Sequence, residues 1–258
     1  MIIAAIQVRM GSTRLPSKVL ADVCGRPMLA HLVRRAGAAR RVDQVVIATS
    51  TEPADAPIRK YAEQHGIPCY AGSLSDLIDR LYQTARTFNA DQVVWLTGDN
   101  PLVDPELIDA AVEAYEKSVG EVDYVTMAMP PTYPTGLGVE LYPALLLEHL
   151  WRDIRDPFYR EWFPTYVEEH PRLRYKNVAN DTDLSSLRWT VDYEEDLHFV
   201  REVFRRLDRD DRVFGWREVL ELVCLDPAVG RINEARVGTD GLAIARQEQS
   251  QRKSGGKE

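Results

Sequence analysis

The stretch from Ile2 to Lys18, IIAAIQVRMGSTRLPSK, decides how the rest of the chain is read. It opens with an apolar run over 2–8, the pattern of a strand buried on both faces of a parallel sheet. The run breaks into a loop holding Gly11, Ser12, Thr13 and Pro16, with Arg9, Arg14 and Lys18 spaced along it and no acidic residue before Asp22. Small residues let backbone N–H groups approach phosphate oxygens, and cations offset the charge, so a nucleoside triphosphate suits such a loop. A basic surface turn after an edge strand is the plainer alternative. The loop is not a P-loop, because GxxxxGK[ST] is absent.

Working outward, strand and helix patterns alternate. The spacing predicts a helix over 27–39, a strand over 43–49, a helix over 55–65 stopped by Gly66, and a strand over 67–71. A helix over 75–88 and a strand over 91–97 follow. Four such alternations with short connections define a doubly wound, mostly parallel α/β sheet. These sheets bind ligands outside the carboxyl ends of their strands. The polar clusters at 9–18, 49–52 and 97–100 all fall there. Further on, Asp104 and Pro105 open a helix to about 117, and 123–127 is a fifth strand. The Pro- and Gly-rich 130–138 reads as a loop facing a substrate or equally as a plain connection, then come a strand over 139–142 and helices over 143–153 and 157–170. Strands are expected over 173–178 and 187–191, a helix from Asp192 with Leu197, Val200, Phe204 and Leu207 inward, and a last helix over 216–225.

The 258 residues are expected to form one domain over 1–245 and a disordered tail over 246–258. A net charge of −8 argues against nucleic acid as a partner, and an anionic substrate then needs a local basic patch. The chain has no apolar run near the ~20 residues that span a bilayer. It also lacks a signal-peptide start, and Cys24, Cys69 and Cys224 are scattered, so a cytoplasmic protein with no membrane partner and no thiol metal site is expected.

Two carboxylates stand out. Asp99 follows a strand and a glycine, where a magnesium ligand or a turn-forming aspartate is found. Asp192 ends a strand and also starts a capping box with Glu195; both readings are compatible with a metal. The five histidines pair with no Ser or Cys in the pattern, which disfavours a nucleophilic system. Phosphoryl-type transfer asks instead for positioning, cations and a metal.

The segment from Gln7 to Lys18 resembles the signature of the CMP–sugar synthetases, the cytidylyltransferases for 3-deoxy-manno-octulosonate and acylneuraminate. The chain to about residue 230 is most similar to the spore-coat polysaccharide biosynthesis protein F family. The shared motifs are Thr97-Gly98-Asp99-Asn100-Pro101-Leu102, Tyr133-Pro134-Thr135-Gly136, Arg160-Glu161 and Leu187 to Asp192. The resemblance implies a nucleotidyltransferase fold with an acceptor-side and dimerisation region over about 130–185, and a homodimer. It implies that Arg9, Gly11, Ser12, Thr13, Arg14 and Lys18 hold CTP, with Gly72, Ser73, Arg80 and Thr97 nearby. Asp99 and Asp192 would bind Mg2+, and these two with Arg14 and Lys18 would be catalytic. CMP would pass to a sugar acid or similar small anionic acceptor, with pyrophosphate released, and Tyr133, Gly136, Glu140, Arg160 and Arg188 would meet that acceptor. Arg174 and Lys176 are further cations that could do so.

Three positions depart from the family pattern: Ser17 for a glycine, Gly138 for an acid and Trp162 for a histidine. Two other functions fit the residues. One is a nucleotide-sugar glycosyltransferase, although Gly98-Asp99-Asn100 lacks the second Asp of a DxD motif. The other is a nucleotide-binding protein without turnover.

Overall fold

In chain order the elements begin with β1 (Ile2–Gln7), the two-residue strands β2 (Asp22–Val23) and β3 (Arg26–Pro27), α1 (Met28–Ala36), β4 (Gln44–Ser50) and α2 (Ala56–Gln64). Next come β5 (Cys69–Gly72), α3 (Leu77–Thr87), β6 (Gln92–Thr97), α4 (Pro105–Glu116), β7 (Tyr124–Thr126) and β8 (Glu140–Pro143). The last are α5 (Ala144–Asp153), α6 (Pro157–Glu161), α7 (Phe163–Glu169), β9 (Tyr175–Asn177), α8 (Glu194–Leu207), α9 (Trp216–Leu225) and α10 (Pro227–Gly230). This computed structural model describes residues 1–209 and 212–239, with 247 and 250. Apart from those last two positions, the tail expected over 246–258 lies outside the described residues.

One seven-stranded sheet runs in the order β5-β4-β1-β6-β8-β7-β9. The β5-β4-β1-β6 half is parallel; β8 is antiparallel to β6 and β7, and β9 is parallel to β7. The apolar run of β1 sits centrally because both its faces are covered. Ala4 and Ile6 pack toward α1, α4 and α8, while Ile3 and Ala5 pack toward α3, α5 and α7. The 130–185 segment supplies β8 and β9 to this same sheet. Gly66 (φ 63) and Asn89 (φ 50) end their helices in the left-handed region, as their sequence places suggest. Among the described residues no helix is long and apolar enough to cross a membrane.

Several local expectations are corrected. The α1 helix starts at Met28 with Pro27 before it, and α3 starts at Leu77 because Asp76 caps it, accepting from the Asp79 N–H at 2.9 Å. The helix expected over 157–170 is two helices that meet at Trp162 (φ −117, ψ 46), since Pro164 lacks the N–H that a continuous helix uses. The strand expected over 187–191 does not enter the sheet. Thr135 N–H donates to Leu187 O (2.8 Å), Trp189 N–H to Thr135 O (2.7 Å) and Val191 N–H to Asp99 O (2.8 Å), so this segment pairs with two turns instead. Asp192 also does not open α8. Tyr193 is the N-cap residue, and Asp196 rather than Glu195 reaches back, accepting from Tyr193 N–H at 3.0 Å. Glu195 instead pairs with Arg236 at 2.8 Å.

Candidate active site

The cavity at the carboxyl ends of β1 and β6 has a volume of about 550 Å3. Its basic wall is the loop after β1. Gly98 N–H donates to Gln7 O at 2.8 Å, which brings the β6 turn against β1. A Cβ on Gly98 would lie 2.2 Å from Val8 Cγ1 and 2.8 Å from Gln7 O, so only glycine allows this approach. Buried Asp55 anchors the loop entrance by accepting from Met10 N–H at 2.6 Å and from the Ser50 hydroxyl. Ser17 then adopts φ 60 and ψ 16, and this left-handed step turns Lys18 inward.

Lys18 is 8% exposed and its ammonium joins the two candidate carboxylates. Its Nζ donates to Val191 O at 2.6 Å and to Asp192 Oδ1 at 2.8 Å, and stands 3.6 Å from Asp99 Oδ2. Arg14 Nη2 lies 2.6 Å from the same Asp192 oxygen, and Arg188 Nη2 donates to the other at 3.1 Å. Burial alone would raise the Asp192 carboxyl, but Lys18 and Arg14 outweigh it and hold the group below its ordinary 3.8. Arg188 in turn donates to Asp196 from Nε and Nη2, both at 2.9 Å. Three carboxylates thus face three cations.

The structure brings together on the cavity wall Arg9, Gly11, Ser12, Thr13, Arg14, Lys18, Arg80, Thr97, Asp99, Tyr133, Gly136, Glu140 and Asp192. Arg80 is held by the carbonyls of Ser73 and Leu74, and its Nε has no partner. Burial, then the neighbouring Arg9, push its guanidinium down to about 10. Glu140 is fixed from behind by the hydroxyls of Tyr142 (2.5 Å) and Thr126 (2.9 Å).

Gly72, Ser73, Arg160 and Arg188 do not line the cavity. Gly72 O accepts from Thr51 N–H at 2.9 Å, and the Ser73 hydroxyl accepts from Asp76 N–H at 3.1 Å, so both hold turns. Arg160 donates to Asp76 (2.5 Å), Trp151 O (2.9 Å) and Ile154 O (2.7 Å), which makes it a strut beneath α6. Arg188 is spent on Asp192 and Asp196, and Arg174 on Asp123. The cavity also gains Trp95, which no motif marks, and Gln7, Asn100, Glu161 and Trp162, which lie in or beside the motifs but carry no assigned role there. Trp95 Nε1 donates to Gln7 Oε1 at 2.8 Å. The period of two along β1 and β6 does put Gln7, Trp95 and Thr97 on one face, a signal that was open to reading.

A mostly parallel α/β sheet with a basic loop and two carboxylates at its carboxyl edge is an arrangement suited to a nucleotidyltransferase. The cytidylyltransferase family model matches residues 3–212, and the chain belongs to that family. It is 30% identical over 242 residues to the spore coat polysaccharide biosynthesis protein SpsF of Bacillus subtilis, covering 91% of this chain and 98% of that one. A solved cytidylyltransferase from Leptospira borgpetersenii superposes with a TM-score of 0.84 at 30% identity, over 88% of this chain and 95% of that one. A CMP:2-keto-3-deoxy-manno-octonic acid synthetase solved with CTP shares the fold, with a TM-score of 0.62 at 19% identity over 80% of this chain and 98% of that one.

Proposed function

We propose that the enzyme transfers CMP from CTP to a sugar acid or similar small anionic acceptor and releases pyrophosphate. The observation that carries this reading is Lys18 Nζ between Asp192 (2.8 Å) and Asp99 (3.6 Å), with Arg14 beside it, on the wall of the cavity. Arg14 and Lys18 meet the triphosphate, while the backbone of Gly11, Ser12 and Thr13 and the side chains of Arg9, Arg80 and Thr97 hold the nucleotide. Tyr133, Gly136 and Glu140 bound the acceptor side. An acceptor oxygen attacks the α-phosphorus in line, and the bond from that phosphorus to the α–β bridging oxygen breaks. Arg14 and Lys18 neutralise the charge that develops on the leaving pyrophosphate.

The donor set fits magnesium. Asp99 and Asp192 are hard oxygen donors, and this ion is ordinarily bound by one or two carboxylates completed by substrate phosphates and water. Among the described residues no group of three or more Asp, Glu, His or Cys is placed to hold a metal alone, which agrees with an ion brought with the nucleotide. When bound, Mg2+ supplies charge neutralisation at the phosphates.

The test is pyrophosphate release across four nucleoside triphosphates and a panel of sugar acids, sugar phosphates and phosphonates. CTP-selective release that Asp99→Ala abolishes is the expected result. Stabilisation by an intact nucleotide sugar, with none by CTP and Mg2+, overturns the reading.

A further inference from the structure

Arg188 and Asp196, which back Asp192, are themselves braced by residues from a part of the chain that lies past the family match at 3–212. Asn233 is 3% exposed and its Nδ2 donates twice, to Asp196 Oδ1 and to Arg188 O, both at 2.9 Å. Asp196, fully buried, accepts in addition from Asp192 N–H (2.9 Å), Tyr193 N–H (3.0 Å) and both Nε and Nη2 of Arg188 (2.9 Å each). An ionised carboxylate offers about four lone-pair sites, so Asp196 is fixed on all sides. Arg236 adds a second tie. Its guanidinium lies 4.2 Å over the ring of Tyr193, and the same ring is 5.4 Å from the guanidinium of Arg14.

We infer that Asn233 and Arg236 are positioning residues, holding Asp192 and Arg14 in the geometry that nucleotidyl transfer needs. This rests on the roles proposed above for Asp192 and Arg14. Each constraint depends on the next one behind it. The Asp192 carboxylate can face Arg14 and Lys18 together only if its rear oxygen is held by Arg188. Arg188 can do that only if its own plane is fixed, and Nη1 of Arg188 has no partner to help. Asp196 fixes that plane through Nε and Nη2, and Asn233 locks the two ends of the Arg188–Asp196 pair together. Neither Asn233 nor Arg236 lines the cavity, so each acts through its neighbours. Groups that orient a charged ligand-binding side chain in this way are typically worth about 10–100-fold in affinity or activity.

The experiment measures kcat for CTP-dependent pyrophosphate release, well below each variant's Tm. Asn233→Ala is expected to lose about 10–100-fold in kcat, and Asn233→Ser, which keeps a shorter O–H donor at the site, to recover part of it. Arg236→Ala, at a side chain that is 38% exposed, is expected to lose about tenfold. Val229→Ala is the control, since Val229 packs only into the apolar core of the same segment. It should lower Tm while keeping kcat within about twofold. If Asn233→Ala and Arg236→Ala lower Tm as Val229→Ala does and keep the parent kcat, the positioning role is overturned. Should Asn233→Ala not fold, Asn233→Ser and Arg236→Ala decide the matter by the same criterion. Asp192→Asn separates the two levels: the parent rate in that variant removes the underlying site reading. An inactive Asp192→Asn beside a fully active Arg236→Ala removes only the positioning role.

Discussion

Asp192 shows how one side chain ties stability to charge. Its carboxyl is buried yet held below the ordinary 3.8, because Lys18 and Arg14 outweigh the desolvation. A group depressed in the folded state stabilises the fold fully above its unfolded value, and loses that contribution as pH falls through the folded one. Melting curves taken from about pH 6 down to pH 3 should therefore fall steeply for the parent and more gently for Asp192→Asn. Asp192→Ala, which leaves buried Lys18 with only Asp99 at 3.6 Å and takes one of two carboxylates from Arg188, should cost about 3–5 kcal/mol at neutral pH. Ser17 is a second residue with a measurable cost. A non-glycine residue at φ 60 is strained by roughly 1–2 kcal/mol, of which the greater backbone freedom of glycine offsets about half. Ser17→Gly is thus expected to raise stability by about 0.5–1 kcal/mol in urea unfolding. Gly138, by contrast, faces open space: a Cβ there would meet no atom within 4 Å, so an acidic side chain at this position would fit without a clash.

At the level of elements, the site depends on how closely β6 ends against β1. Gly98→Ala would place a methyl carbon 2.2 Å from Val8 Cγ1 and force the strand ends apart. A loss of about 1–3 kcal/mol is expected, with a rise in KM for CTP because Asp99 and the loop move relative to each other. The helix pair α6 and α7 makes a different point. Arg160 binds Asp76 and two carbonyls at the turn between α5 and α6, so Arg160→Ala should lower stability by about 1–3 kcal/mol while leaving the acceptor KM unchanged. A large rise in acceptor KM with Tm unaltered would contradict that. In sequence Arg160 and Arg188 sit in motifs that suggest contact with an acceptor. Their partners, Asp76 and Asp196, are set by tertiary contacts that no local pattern records.

Across the whole molecule, the parallel half of the sheet was legible because strands covered on both faces must be continuously apolar, as β1, β4 and β6 are. The loop over 9–18 was legible because its composition conflicts with an acidic chain. The segment before α8 reads as a strand because its apolar residues serve burial against turns, and a period-two pattern does not tell a sheet neighbour from a turn. Trp95 is hidden for a related reason: an aromatic residue on a strand reads as core until the cavity beside it is seen. Asn233 gives no signal at all. A lone asparagine after a short helix reads as a turn, and its bond to Asp196 forms only because the segment after α10 returns to the start of α8.

On the function proposed above, the pairing of Asp192 with Arg14 and Lys18 means that the resting enzyme already carries an anion beside the cations assigned to the triphosphate. On that reading Asp192, held in place, competes with the incoming phosphates for the same two cations and reduces the charge they offer, so ground-state affinity is held down by a residue proposed to serve turnover. Asp192→Asn should weaken that competition, so calorimetric titration with CTP in the absence of divalent metal is expected to show tighter binding than the parent, although the variant turns over more slowly. Affinity and rate should move in opposite directions, leaving CTP held loosely enough to react and leave.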